Sequence, residues 1–340
     1  MALPVVLFFA VLSASGATAN ASAATNPYIV WSGDPAVHRA AELLNVSRPM
    51  HALQQLQDVI LRHPQDPKVL LLAGLAAYRA DEIRAALDYW KISLDLAPNE
   101  ALGRIYEDAQ REAAADASNQ KLYGAHIALR YDNRTLPPDS ARALLATLDD
   151  TYSRVSAQLG CSSDEPVVAI VRSRESYLRV TGAAEWSGGH FDGRIHIAAP
   201  PDIAEPQNGT GGMEVGSQMQ RELTHELVHA CLMSIPSGPA PWPAWLQEGL
   251  AQKLSGDTLP PWVREHLRKL VATYGIPRLE TLGEDWSDMN RQKAVAAYDL
   301  ALAAADAIYD PHSRYRINEI LRNPEILPRI TAYLDAKLGL

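Results

Sequence analysis

The sequence predicts an α+β fold. A module of α-helical repeats comes first, followed by a domain with a small, mostly antiparallel sheet and a helical C-terminal part. Three observations predict it. Residues 33–100 repeat with a period of 34. Between residues 122 and 199, short alternating or wholly apolar runs mark strands. From residue 214 onward the apolar spacing is helical almost throughout.

Bulk properties bound the possibilities. The chain has 340 residues, enough for two or three domains. With 47% apolar and 21% charged residues and no low-complexity bias, it has the composition of a soluble globular protein. A net charge of −9 and the lack of any basic run argue against nucleic acid or anionic lipid as the main partner. Two cysteines, Cys161 and Cys231, cannot build a disulfide framework or a multi-thiolate zinc site, and are expected to be separate thiols.

Residues 1–23 have the layout of an export signal, an apolar core followed by small residues. Ala17-Thr18-Ala19 and Ala21-Ser22-Ala23 both fit the small-x-small cleavage rule. No Lys or Arg precedes the core, a departure from the usual signal. The apolar run is too short for a stable membrane span. The expectation is export to a periplasm or the outside. Asn45, Asn133 and Asn208 head Asn-x-Ser/Thr triplets, which accept glycans only in a eukaryotic secretory pathway.

In the repeat, Pro64 and Pro98 lie 34 residues apart, each closing a pair of helical patterns. Aligned on them, Ala52 matches Ala86, Leu56 matches Trp90 and Val59 matches Ser93. Gly74 would let two helices approach closely. This period, with small, bulky and Pro residues at these offsets, resembles the tetratricopeptide repeat. The resemblance implies two helix hairpins over residues 33–116, with 101–116 as a capping helix. Such a module either packs on its neighbour or holds a protein partner.

The second domain is expected over residues 122–335. "AHIALRY" alternates like a strand, residues 139–160 read as a helix, and "PVVAIVRS" is a buried-strand run. "GHFDGRIHIAA" sets Asp-Gly between two alternating segments, a hairpin signal. A loop follows over 200–212, then a helix over 215–235 closed by "PSGPAPWP", then a second helix, "AWLQEGLAQKL".

The chemistry lies on those two helices. His225 and His229 are four residues apart in "HELVH", so on a helix they project from one face and can reach one ion. Glu226 sits beside the first ligand, where a general base for water belongs. Leu223, Leu227 and Ala230 supply apolar packing. Glu248 follows His229 by 19 residues, across a Pro/Gly-rich turn, and would be the third ligand; Gly249 would allow close approach to the first helix. Catalytic zinc typically keeps three protein ligands and an open position.

HELVH followed by WLQEG resembles the gluzincins, the thermolysin-like and aminopeptidase-like metallopeptidases. More narrowly it is similar to peptidase-MA-like exported proteins that carry tetratricopeptide repeats. The similarity covers roughly residues 122–310. It implies one Zn²⁺ per chain held by His225, His229 and Glu248, with Glu226 as base and later proton donor. It also implies that Tyr298 faces the oxyanion, where a hydroxyl donor stabilises developing charge. In such folds an edge strand pairs with extended substrate, the place "GRIHIAA" (193–199) takes here. Gln252 occupies the position from which an acidic residue in some relatives orients a ligand histidine. His190 and His196 are expected to be structural or rim residues, and Cys231 to be packing.

The function implied is an exported zinc metallopeptidase acting on a peptide or protein. The absence of a glutamate motif for gripping a free α-amine favours action within chains. Two alternatives stay open: an interaction protein whose peptidase-like domain is inactive or structural, and a zinc amidase on a non-peptide, cell-wall substrate.

Overall fold

The computed structural model describes residues 34–182, 188–199, 217–237, 242–276, 278–280, 282, 286 and 289–339. The segment expected to be an export signal (1–23), the expected loop at 200–212 with Asn208, and part of "PSGPAPWP" lie outside the described residues. Those described form two compact units. One holds residues 34–149 and 163–199, the other 150–162 and 217–339. These units divide the chain elsewhere than the composition shift near residue 122: the strands group with the N-terminal helices. Taken together, the described residues are mixed α/β and mostly helical, with one small five-stranded sheet among them.

The first unit opens with five helices: α1 (Pro35–Asn45), α2 (Pro49–Arg62), α3 (Pro67–Arg79), α4 (Ile83–Leu96) and α5 (Glu100–Ala115). Their starts are written in the sequence. Prolines open α1, α2 and α3, where a missing N–H costs nothing, and Asp34, Asp66 and Asn99 cap α1, α3 and α5 through their side chains. Each helix packs on the next, and all six residues paired by the 34-residue period are buried. Gly74 is required by Trp90, because a Cβ there would fall 2.2 Å from the indole. That indole N–H donates to the Leu71 carbonyl at 3.1 Å. Pro64 and Pro98 sit just past the ends of α2 and α4, as the repeat predicted.

The sheet follows: β1 (Gln120–Tyr123), β2 (Ile127–Tyr131), β3 (Val167–Arg172), β4 (Gly189–Phe191) and β5 (Ile195–Ala198), in the order β1-β2-β3-β5-β4. The outer pairings, β1·β2 and β4·β5, are antiparallel, while β2·β3 and β3·β5 are parallel, with Ile127 opposite Val167 and Ala169 opposite Ile195. The sheet is therefore mixed, which corrects the mostly antiparallel expectation. Strand-forming runs look alike in either direction; the intervening helices α6 (Pro138–Leu159) and α7 (Arg174–Thr181) provide the crossovers that parallel pairing needs. The hairpin at Asp192-Gly193 is as expected, with Gly193 at φ +104°. Its second strand is not an edge: β5 lies between β3 and β4. The proposed substrate-pairing edge at 193–199 is thereby corrected, since its ladder is already occupied on both sides.

Buried charge joins the helices of this unit to its sheet. Arg172 on β3 pairs with Glu112 on α5 and Asp116 just after it; Arg194 pairs with Glu112 at 2.8 Å. Arg130 on β2 pairs with Asp81 and Asp116. Arg194 also lies flat over Tyr78, 3.6 Å from the ring centre. His196 belongs to this network. The guanidinium of Arg172, which can only donate, is 2.7 Å from Nδ1, so Nδ1 accepts and Nε2–H donates to Asp192 at 3.1 Å. His190 stacks near it, and burial holds its pKa down to about 4. Neither histidine belongs to the His225–His229–Glu248 group.

The second unit holds the last part of α6 and α8 (Ser217–Met233), α9 (Ala244–Ser255), α10 (Pro261–Tyr274), α11 (Arg291–Tyr309), α12 (Ile317–Arg322) and α13 (Leu327–Leu338). α9 packs against both α8 and α11. Cys161 and Cys231 form a disulfide, with Cα atoms 5.5 Å apart, so the expectation of separate thiols is corrected. The two lie 70 residues apart, and only the fold brings them together. Among the described residues no helix is long and apolar enough to cross a membrane.

Candidate metal centre

Every residue of α8 from Leu223 to Leu232 is buried, including His225, Glu226 and His229. A helix buried all round is normally apolar all round, because an unpartnered polar side chain in the interior costs several kcal/mol, roughly 2–7 on transfer scales. Three ionisable groups within such a stretch need a compensating partner. The partner is α9, which is almost as fully buried and brings Glu248 (3% exposed) to the two histidines.

The donor atoms converge. His225 Nε2 is 3.3 Å from Glu248 Oε2, and His229 Nε2 is 3.7 Å from Glu248 Oε1. The imidazole centroids are 5.0 Å apart. One ligand atom from each of the three lies within 4.8 Å of the others. Two donors bound tetrahedrally at about 2.0–2.1 Å from one ion are themselves about 3.3 Å apart; the His225–Glu248 pair has that spacing and the His229–Glu248 pair, at 3.7 Å, is slightly wider. Direct pairing does not account for it as well. His225 Nε2 and Glu248 Oε2 are both buried, and neither makes a hydrogen bond of acceptable geometry despite their closeness. A small cation between them would satisfy both. The buried His225–His229–Glu248 group could therefore hold a metal ion.

Glu226 stands beside that group without joining it. It is 1% exposed, and neither carboxylate oxygen has a hydrogen-bond partner among the described residues. Burial pushes its pKa up to about 8; the charges of Glu248 and Glu222 add to this, while His225 opposes it. Burial likewise raises Glu248 against the pull of His225. His225 is raised as well: burial disfavours its cation, but the Glu248 carboxylate outweighs it.

Local packing fixes the two helices. The Trp242 indole N–H donates to the Leu232 carbonyl at 3.1 Å, holding the end of α8, and Gln247 donates to the Trp242 carbonyl. Gly249 makes its close approach to α11 rather than to α8: a Cβ there would meet the Ala301 carbonyl oxygen at 2.3 Å. Gln252 does not orient a histidine with its amide N–H. That group donates to the carbonyls of Glu248 (3.3 Å) and Tyr298 (3.0 Å), tying α9 to α11. Tyr298 is 1% exposed, its ring edge-on to Trp286 at 5.0 Å.

The spacing in HELVH and WLQEG thus foretold the residues that the fold brings together. It gave no sign of Trp242 or of Cys161–Cys231. Nor did it mark Asp257, whose carboxylate acts on His225 from just past α9, where Gly256 turns the chain at φ +90°. No family model matches this chain, and no curated protein or solved structure matches it.

Proposed function

We propose that the chain is an exported zinc metallopeptidase that hydrolyses peptide bonds within chains. One observation carries this reading: a buried carboxylate, Glu226, with both oxygens unpartnered, beside a buried three-donor cluster. A structural metal site has no use for a fourth, unligated carboxylate; a hydrolytic one does. The donor set of two imidazoles and one carboxylate suits zinc, with a position left open. Zinc held by His225, His229 and Glu248 would supply Lewis acidity, polarising an amide carbonyl and acidifying water.

The chain's own residues carry the proton. Glu226 takes it from the attacking water, whose oxygen adds to the amide carbon. Glu226 then passes the proton to the nitrogen as the C–N bond breaks, leaving a carboxylic acid and an amine. Positive charge in the neighbouring cluster would favour the carboxylate form of Glu226 that accepts the proton first. Tyr298 is proposed to donate its hydroxyl to the developing oxyanion. The export signal and the buried disulfide support an oxidising compartment. The 34-residue period supports a tetratricopeptide-like role for residues 35–115, as packing or as a docking face for a protein substrate.

The test incubates the mature protein with zinc against an unbiased peptide mixture, beside Glu226→Gln and Tyr298→Phe. The parent is expected to cleave. Glu226→Gln should keep one zinc per chain and lose nearly all turnover. Tyr298→Phe, which preserves the ring contact with Trp286, should lose about 10²-fold in kcat. Silence from the zinc-loaded parent overturns the peptidase reading.

A further inference from the structure

The Cys161–Cys231 disulfide is anchored on α8, the helix that carries two of the three clustered donors. Cys231 is on α8, two residues past His229 and six past His225. It is wholly buried and bonded to Cys161 just beyond α6, and at about 100° per residue position 231 falls on a different face of the helix from 225 and 229. Cys161 is itself fixed: its carbonyl accepts from Ser156 Oγ at 2.6 Å, and Gly160 before it turns the chain at φ +77°. On the next residue of α8, the Leu232 carbonyl takes the Trp242 indole N–H. The covalent bond and this hydrogen bond together grip the ligand helix within one turn of His229. Glu248 comes from another helix, α9, held against α11 through Gly249 and Gln252. The distance between the imidazoles and the carboxylate therefore depends on where α8 is pinned, and the disulfide is its one covalent pin among the described residues.

We infer that the Cys161–Cys231 disulfide is a positioning pair for the metal centre: with the bond formed, the His225–His229–Glu248 group binds zinc at least tenfold more tightly than with it broken. The inference rests on the three residues holding a metal, but not on peptidase activity. Its physical basis is preorganisation. A helix free to shift by a fraction of an ångström spends binding energy on restoring the donor spacing; hydrogen-bonded partners that orient metal ligands, which act on the same geometry, are typically worth about 10–100-fold in affinity. By linkage the effect is reciprocal: bound zinc must stabilise the disulfide against reduction by the same factor.

Two measurements on the full mature chain test it, neither reading catalysis. The first titrates zinc against a chromogenic chelator for the parent and for Cys161→Ala/Cys231→Ala. The expected result is a zinc Kd at least tenfold weaker in the double variant at an unchanged stoichiometry of one. Equal affinities within twofold would overturn the inference, since a bond serving only overall stability leaves the affinity of the folded state alone. The second uses the parent itself and covers failure of the variant to fold. The disulfide is equilibrated in glutathione buffers, with free zinc clamped either at saturation or near zero. Two glutathione thiols give up two electrons and two protons, becoming one glutathione disulfide as the protein bond opens to two thiols. Zinc should lower the midpoint potential by about 30 mV or more, the equivalent of tenfold for a two-electron couple. No shift would overturn the inference. Absence of zinc binding in either form would instead overturn the metal centre beneath it.

Discussion

Asp299 follows Tyr298 on α11, and burial alone pushes its carboxyl up from 3.8 to about 6. A carboxyl raised in the folded state favours folding while protonated and opposes it once ionised. The penalty is absent below the ordinary value, grows between about pH 4 and 6, and is complete above that. Two pKa units correspond to about 3 kcal/mol, and partial solvent contact reduces this to about 1–2. Asp299→Asn should therefore stabilise the protein by about that much at pH 7.5 and leave it unchanged near pH 4, as urea midpoints at the two pH values would show. An equal gain at both would mean that Asn improves packing rather than removing a charge. The contrast with Glu226 shows what a sequence makes legible at this scale. His225, Glu226 and His229 could be read because helical geometry turns a four-residue spacing into a shared face. Asp299 and Asp257 could not, because their surroundings come from distant segments and no local period marks them.

At the scale of elements, the centre depends on α9 lying close to α11. Gly249 makes that possible: a Cβ would meet the Ala301 carbonyl oxygen at 2.3 Å and the Ala305 Cβ at 3.3 Å, both on a packed helix that cannot yield cheaply. Gly249→Ala should cost about 1–3 kcal/mol, as overpacking usually does, and weaken zinc binding because Glu248 is the adjacent residue. Gly103 on α5 serves as the control, since a Cβ there meets nothing within 4 Å. Gly103→Ala should instead gain about 0.5–1 kcal/mol. Thermal melts and chelator competition on both variants decide it; a harmless Gly249→Ala would sink the close-packing account. Helices were the most legible elements. Residues 215–235 and 244–254 were expected to be helical, and the helices run over 217–233 and 244–255. Caps and prolines announce such ends locally. Strand direction had no local signature, so α6 and α7 had to be seen as crossovers before the parallel pairs became evident. β1, with only one partly buried residue, lacks the alternation that would have revealed it. The glycine at 249 marks a close contact in the sequence but not its partner, which is α11 rather than α8, because a missing Cβ says that something approaches and not what.

At the scale of the whole molecule, the two units are stabilised by chemistries that respond to acid with opposite sign. In residues 34–149 and 163–199, Glu112 sits among Arg194, Arg172 and His196. Burial alone would raise its carboxyl, but the guanidinium groups, Arg194 foremost and then Arg172, overcome that and bring it from 4.5 down to about 2. Asp192, half-buried beside His196 and Arg194, is also held well below its ordinary value. A depressed carboxylate contributes stability that is complete above its unfolded pKa and lost as pH falls through the folded one. For Glu112 alone this is about 3 kcal/mol, lost between pH 4.5 and 2. Four partly or wholly buried carboxyls of the other unit carry the reverse, while its exposed Asp310 is held down by the His312 N–H and Lys337. Burial raises Glu226, Glu248, Asp257 and Asp299, so in the metal-free protein acid relieves strain there. Its disulfide closes a loop of about 70 residues, for which chain entropy gives about 4 kcal/mol that does not vary with pH in this range. Acid should therefore open the metal-free chain in a fixed order. Hydrogen exchange resolved by peptide, on chelator-treated protein stepped from pH 5 to pH 2.5, should show protection vanishing first from 34–149 and 163–199. Peptides from 150–162 and 217–339 should keep theirs. Glu112→Gln should move the first transition to higher pH, because an amide cannot balance two buried guanidinium groups. Loss of protection in 217–339 first would mean that the ion cluster of Glu112, Arg172 and Arg194 is not what acid attacks.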